Sequence, residues 1–498
     1  MYSVVAIDLG ASGGRVIRGT WDSPARKLKL EEIHRFNNEP VDVNGTLYWD
    51  ILRIFHEIKF GIRKAVQLLP AGSCLRCIGI DTWGVDFGLL DSHGQLLGNP
   101  VHYRDARATG ELSRLEELLG TGFLFRKTGV QDEWFNTVGQ MTGALQRNAA
   151  FFDRAEALLF VPDLLNYFFT GIKACEQSIA STSQLLASGS LSWDEEIFSR
   201  LGLPQRLMQR VLYSGTLLGP VSTGIVLELG LPPGIPLALT ASHDTASAAL
   251  AVPATQGSSF AFINCGTWSI LGTELDGPIT TEAARIGRFS NEAGYKGKTL
   301  LVKNIMGMWL LQECKRCWES AGEPLEYGEL ASLAEIAGEA TAFINVNDQS
   351  FANPGNLPDR IRQYCQESAQ PIPASRGAVL RIILESLACE FRSSLEELEE
   401  VTGSRVDELW LVGGGARNGL LCQLTASITG HAVRVGSAET TALGNVVSQF
   451  ATLGIFASLQ EARNAIAESF SVQTFTPSAQ GQSDLQYARW QRAIGSLN

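Results

Sequence analysis

The chain has 498 residues and a mass of 53.9 kDa, more than one hydrophobic core usually fills, so at least two domains are expected. Apolar residues make up 45% and charged residues 18%, which excludes an intrinsically disordered chain. With 52 acidic against 40 basic side chains and a net charge of −12, electrostatic capture of a nucleic-acid backbone or an anionic membrane is disfavoured, and phosphate would have to be bound locally.

The first expected element is the apolar run VVAIDLG, which ends in an acid and a glycine. SGG and the alternating RVIRGTW follow, so the segment reads as strand, tight turn and strand. The start MYSVVAIDLGAS lacks a basic leader and carries Asp8 inside its apolar run. No apolar stretch reaches the roughly eighteen residues of a membrane span, and a cytoplasmic protein is the expectation. An amphipathic helix over about 50–68 then feeds a buried strand in LRCIGIDTWG, which breaks near Gly84. In ALTASHDTASAALAV, at 238–252, an apolar stretch gives way to Ser-His-Asp-Thr and an alanine-rich helix, with Asp244 in its first turn.

Pro253 and Gly257 punctuate the chain after that helix and suggest a boundary, with domains 1–255 and 256–498. SSFAFINCGTWSILGTEL then repeats the opening plan, Asn264 and Gly266 standing where Asp8 and Gly10 stood. Polar 345–376 reads mainly as an irregular loop with a short helix. A helix over 376–401, with Ile383, Leu387, Phe391, Leu395 and Leu398 on one face, feeds the strand ELWLVGGG, which ends near Gly415. The halves look duplicated. Their alternation predicts α/β domains with helices on both sheet faces, a cleft between them, and ligands at the carboxyl ends of the strands.

Three glycine-bearing segments could let backbone N–H groups converge on phosphate: DLGASGGR at 8–15, NCGTWS at 264–269 and GGGARNG at 413–419. Each alone is a weak signal, because glycines in turns mostly serve the turn itself; their ordered duplication is much stronger. GYKGKT has two residues between its glycines where a Walker loop needs four. GGGARNG has Asn418 at the last position of a dinucleotide fingerprint. Gly10-Ala11-Ser12-Gly13-Gly14 satisfies G-x-S-x-G, but only one strand precedes Ser12, too little chain for a hydrolase oxyanion hole. Two C-x-x-C pairs, Cys74 with Cys77 and Cys314 with Cys317, could nominally furnish thiolates for zinc, but they lie over two hundred residues apart and packing explains them adequately; no histidines cluster as metal ligands. For Asp244 two readings stand: a helix-capping acid worth about 1 kcal/mol, or a general base held ionised by the helix dipole. His243 is either structural or a hydrogen-bond partner for a substrate hydroxyl.

Taken in order, VVAIDLGASGGR, EIHRFNNEPV, IGIDTWGVDFGLLD, SHDTASA, CGTWS, NIMGMWLLQE and VGGGARN resemble the FGGY carbohydrate kinases, and within that family the bacterial rhamnulokinases, over nearly the whole chain. The resemblance implies two ribonuclease-H-like (actin-like ATPase) domains around a central interdomain cleft for ATP and sugar, with the phosphate loop and sugar in the first domain and the nucleotide in the second. It implies Asp244 as proton acceptor, with Gly84, His243, Thr245 and Asn304 contacting the sugar. ATP contacts would be Ala11, Ser12, Gly13, Gly14, Arg15, Thr267, Gln312, Gly414 and Gly415, and Asp8 would orient magnesium through water. Gly13 replaces the second serine of the family's usual Ala-Ser-Ser-Gly-Arg, implying a weaker grip on ATP, and Cys265 replaces a serine, implying a thiol near the phosphates. The implied reaction moves the γ-phosphoryl group of MgATP to O1 of L-rhamnulose. Another deoxyketose such as L-fuculose, or a non-enzymatic ATP-binding protein of the actin and Hsp70 type, are the alternatives.

Overall fold

The computed structural model describes residues 1–70, 73–478 and 480–495. By internal packing the chain divides into two units. The first comprises Met1–Pro253, Glu274–Leu301 and Thr440–Phe470, the second Ala254–Thr273, Val302–Glu439 and Ser471–Asn498.

The first unit is built on a six-stranded sheet with Tyr2–Gly10 beside Cys74–Thr82 on one side and Gly13–Asp22 on the other. Alternation along Tyr2–Gly10 sends Val5, Ile7 and Leu9 to one face, where they share a core with Ile51, Ile54, Ile58 and Ile62. Those isoleucines recur every three or four residues along the helix Ile51–Gln67, capped by Asp50, whose side chain accepts from Arg53 N–H. Burying each is worth roughly 1.5–3 kcal/mol. Val4 and Ala6 point the other way, into a core with Leu443, Val446, Val447 and Phe450 of the helix Thr440–Thr452. A sheet covered on both faces explains why its central strand is a nearly continuous apolar run. Asp8 continues the alternation of Val4 and Ala6 and so faces the second helix.

Residues 87–211 of this unit carry a separate core around Phe87, Leu124, Phe160, Ile179 and Phe198. The sequence gives it no repeat or motif of its own.

In the second unit Phe260–Cys265 pairs antiparallel with Trp268–Leu275, Cys265 opposite Ser269. It also pairs parallel with Glu408–Val412, Asn264 opposite Val412. The hairpin-plus-parallel-strand plan of the first unit therefore recurs here, as the sequence duplication predicts. The helix Arg376–Thr402 is capped by Ser375, ends at left-handed Gly403, and buries Ile383, Leu387, Phe391, Leu395 and Leu398. Within 345–376 the structure is more regular than a loop: Leu357–Glu367 is an 11-residue helix with proline in its first turn. Leu357, Ile361, Tyr364 and Cys365 give it a buried face despite the polar composition. Among the described residues no helix is long and apolar enough to cross a membrane.

Candidate functional site

In the first unit, strand register brings three charged groups together. Asp8 lies opposite Arg15 in the hairpin and opposite Asp81 on the parallel strand. Arg15 Nη2 is 2.6 Å from Asp8 Oδ2, and Asn445 Nδ2 donates to Asp81 Oδ2 at 2.6 Å. Asp81 Oδ1 is buried and has no hydrogen-bond partner. Burial raises the Asp8 carboxyl above its usual range against the pull of Arg15, and the Asp244 charge adds to the rise. Asp81 is pushed well up by burial and then by Asp8, with Asn445 opposing. Asp8 and Asp81 thus raise each other's affinity for protons, as neighbouring like charges do. Ala11 and Ser12 form a two-residue turn closed by the Gly10–Gly13 pair, and Asn38 fixes it by donating to the carbonyls of Gly10 and Ser12. A side chain on Gly14 would collide with the Phe36 ring and with Leu9, so packing rather than the turn accounts for this glycine.

Asp244 opens the helix Asp244–Leu250; His243 occupies the cap position and no side chain caps the helix, so Asp244 is not the capping acid. This helix lies directly on Thr440–Thr452, since any Cβ at Gly444 would strike the Ser247 carbonyl. The Asp244 side chain keeps 32% of its exposure. His243 Nε2 lies 3.3 Å from Asp244 Oδ1, and Thr245 Oγ1 lies 3.2 Å from the same oxygen. Burial raises the Asp244 carboxyl while His243 and then Thr245 restrain it. Burial would lower the His243 imidazole, but Glu292, with Asp244 and Glu176 behind it, overrides that and lifts it to about 9. His243 is thus an imidazolium at neutral pH.

Gly84 begins an over-determined turn. Val85 adopts φ +67°, a left-handed conformation costly for a β-branched residue. It is clamped by Thr182 Oγ1, which accepts from Val85 N–H at 3.1 Å, and by Thr137 Oγ1, which donates to Val85 O at 2.7 Å. The next residue, Asp86, accepts from Trp49 Nε1 at 2.6 Å, Trp83 Nε1 at 3.0 Å, Gln140 Nε2 at 3.1 Å and Tyr103 N at 3.2 Å. Burial pushes the Asp86 carboxyl up to about 6 even against these donors. Thr182 lies 3.2 Å from any Cβ at Gly84, so a side chain there would have to push it aside.

In the second unit, two glycine loops meet. Gly413 has φ +82° and ψ −177°, a region essentially reserved for glycine, and a Cβ there would lie 2.6 Å from Asn264 Oδ1. A Cβ on Gly415 would run into Cys265 Sγ; Gly414 is exposed. Asn418 caps the next helix, accepting from Leu421 N–H at 3.0 Å. Cys265 is fully buried and burial pushes its thiol up to about 11, so the sulfur supports the loop from beneath rather than facing solvent. The segment NIMGMW locks the hairpin turn: Gly307 N and Trp309 N donate to Thr267 O, and Met308 N to Gly266 O, at 2.9–3.2 Å. Thr267 is exposed and its hydroxyl lies 3.3 Å from Gln312 Oε1. Asn304, in the same unit, is half-buried on the strand Thr299–Met306.

Residues 3–251 match the N-terminal domain, and residues 261–453 the C-terminal domain, of the FGGY family of carbohydrate kinases. This chain belongs to that family. The kinase is 36% identical over 489 residues to a rhamnulokinase of Bacteroides thetaiotaomicron, covering 98% of this chain and 99% of the relative. It is 38% identical over 474 residues to one of Enterococcus faecalis, covering 95% and 93%. Its fold is that of a xylulose kinase from Rhodospirillum rubrum, with a TM-score of 0.81 at 15% identity over 99% of both chains. It is likewise that of a Plasmodium falciparum glycerol kinase solved with ADP, at TM-score 0.79 and 16% identity over 99% and 97%. The protein is an ATP-dependent sugar kinase of the actin-like ATPase fold.

Sequence reasoning brings Asp8 and Arg15 together, and His243, Asp244 and Thr245. It misses Asp81, Asp86, Glu176 and Glu292 of the FGGY kinase. Asp81 and Asp86 lie inside the DTWGVD segment, three residues before Gly84 and two after it, a signal available in the sequence; Glu176 and Glu292 have no local signature.

Proposed function

We propose that this kinase transfers the γ-phosphoryl group of MgATP to O1 of L-rhamnulose, giving L-rhamnulose 1-phosphate and ADP. The observation that carries the reading is the Asp244 carboxylate, one-third exposed at the start of a helix, with both side-chain contacts on one oxygen. Its other oxygen is thereby left for a substrate hydroxyl. The choice of sugar rests on the relatives named as rhamnulokinases, which match along almost their full length.

Phosphoryl transfer has a loose transition state, so alignment and charge stabilisation supply most of the catalysis. Asp244 takes the hydroxyl proton, and its raised proton affinity improves it as an acceptor near neutral pH. His243, Thr245, the Gly84 turn and Asn304 orient the sugar. Ala11–Arg15, Thr267, Gln312, Gly414 and Gly415 hold ATP, through backbone N–H groups wherever side chains are missing.

For magnesium the residues fit. Among the described residues no three ligand side chains converge on one point, but magnesium usually takes only one or two carboxylates and keeps waters and phosphates for the rest. Asp8, with Asp81 and its orphaned Oδ1 beside it, supplies that set. Bound there, magnesium would neutralise phosphate charge. The ATP requirement makes the cytoplasm the proposed location.

A panel of ketoses assayed for ADP release tests the reading. Preference for L-rhamnulose is expected, preference for L-fuculose would move the assignment within the family, and no ketose-dependent release would overturn it.

A further inference from the structure

Glu292 is a carboxylate that the reaction above does not use. It lies on the strand Phe289–Ala293 of the first unit, with its side chain 12% exposed, and its Oε2 is 3.0 Å from His243 Nδ1. The other ring nitrogen, Nε2, is the one facing Asp244 Oδ1. The imidazole therefore stands between two carboxylates, one that reacts and one that does not.

Both partners hang from one mount. The short helix Gln177–Ser181 carries Ser178, whose Oγ accepts from His243 N at 3.0 Å, and Ser181, whose Oγ accepts from Ala293 N at 2.9 Å. Glu176 completes the mount, taking Ser178 Oγ–H at 2.5 Å and Ser242 N–H at 3.1 Å. On the other side of Glu292, Asn291 is tied to Gly129 through its backbone N–H at 2.8 Å and its side chain at 3.1 Å. The backbones of His243 and Glu292 are thus fixed on either side of the contact, and the rotation of the ring is what remains to be set.

The contact is close but not aligned. His243 Nδ1 and Glu292 Oε2 are both buried, and neither meets hydrogen-bond geometry although they are 3.0 Å apart. A saturated structural hydrogen bond would already be straight. Contacts that tighten only when substrate binds are commonly misaligned beforehand.

We propose that Glu292 is a positioning residue for phosphoryl transfer: it holds the His243 ring by Nδ1, so that Nε2–H meets Asp244 Oδ1 and Oδ2 stays available for the sugar hydroxyl. The proton leaving that hydroxyl goes to Asp244, and His243 keeps both of its own. This deepens the reading of Asp244 given above and rests on it. The charged groups facing His243 are Asp244 from its own helix, Glu292 from the neighbouring strand and Glu176 from the segment before the mount.

The test compares Glu292→Gln and Glu292→Asp with the intact full-length enzyme. Glu292→Gln should lower kcat roughly 10- to 100-fold, the scale expected when a reacting group is displaced, with KM for ATP unchanged. In the same variant the His243 ring, followed by NMR with labelled histidine, should titrate at lower pH than in the wild type. Glu292→Asp should recover part of both. Wild-type kcat in Glu292→Gln would overturn the proposal, as would a lost kcat with an unmoved His243 titration, which marks a merely structural role. If the wild type itself releases no ADP with any ketose, the function reading fails. The NMR titration then decides the Glu292–His243 link alone, and an unmoved titration overturns it.

Discussion

Arg15 and Asp8 face each other across the opening hairpin, guanidinium 2.6 Å from carboxylate, with Asp8 almost wholly buried and Arg15 partly exposed. Without that guanidinium, Asp8 would sit beside Asp81 with only the more distant Arg35 to oppose the like charge.

Arg15→Met is therefore expected to destabilise the protein by about 1–3 kcal/mol at pH 7, the cost of stranding a buried charge next to solvent. The Asp8 carboxyl is already raised in the folded state, so its favourable share is present below the ordinary carboxylate range and is lost as pH rises through the raised value. Removing Arg15 raises it further. Urea unfolding should show a larger deficit at pH 7 than at pH 4; an equal deficit at both would locate the effect elsewhere.

Gly415→Ala should weaken ATP binding. The added methyl meets Cys265 Sγ, and also lies 2.9 Å from Cys265 Cβ and 2.9 Å from Cys265 O. Deleting the sulfur with Cys265→Ala relieves only the first of these, so the double variant should recover part of the affinity. Calorimetric titration with ADP measures it, and unchanged affinity in Gly415→Ala would detach this loop from the nucleotide.

Cys265 should resist alkylation in the folded protein at pH 8. Its side chain is fully buried and its thiol is raised to about 11, leaving little thiolate. Peptide mapping after iodoacetamide should find Cys74, the exposed thiol, modified first. Rapid labelling of Cys265 in native protein would show the loop opening.

His243 contributes stability below about pH 6.5, its ordinary value, and loses that contribution as pH rises through about 9. The melting temperature should thus fall between pH 8 and 10 by more in the wild type than in His243→Asn. Parallel curves would mean that the imidazolium adds nothing to the fold.

What the sequence made legible were features with local periodicity. The apolar run VVAIDLG, the isoleucine spacing of Ile51–Gln67 and the single apolar face of Arg376–Thr402 each determine their own element. Asp244 stood out because it follows an apolar strand and opens an alanine-rich helix. Glu292, Glu176 and Asn445 were not legible: each acts on a residue far away in the chain, Asn445 reaching Asp81 across 364 positions, and no spacing rule records such a contact. The same limit hid the grouping of Thr440–Phe470 with the first unit, which depends on Leu443, Val446 and Phe450 covering the far face of Tyr2–Gly10. The helix Leu357–Glu367 was expected only as a short helix in a loop because its five buried residues stand among polar and charged ones and leave a faint pattern.

The most direct measurement is kcat of Asp244→Asn on the preferred ketose, paired with ATP affinity. The isosteric amide cannot accept the hydroxyl proton, so kcat should fall about 100- to 10,000-fold while the dissociation constant for ATP stays within a few-fold of the wild type. Near-normal turnover in Asp244→Asn would contradict the account, because the carboxylate would then not be the group that takes the proton.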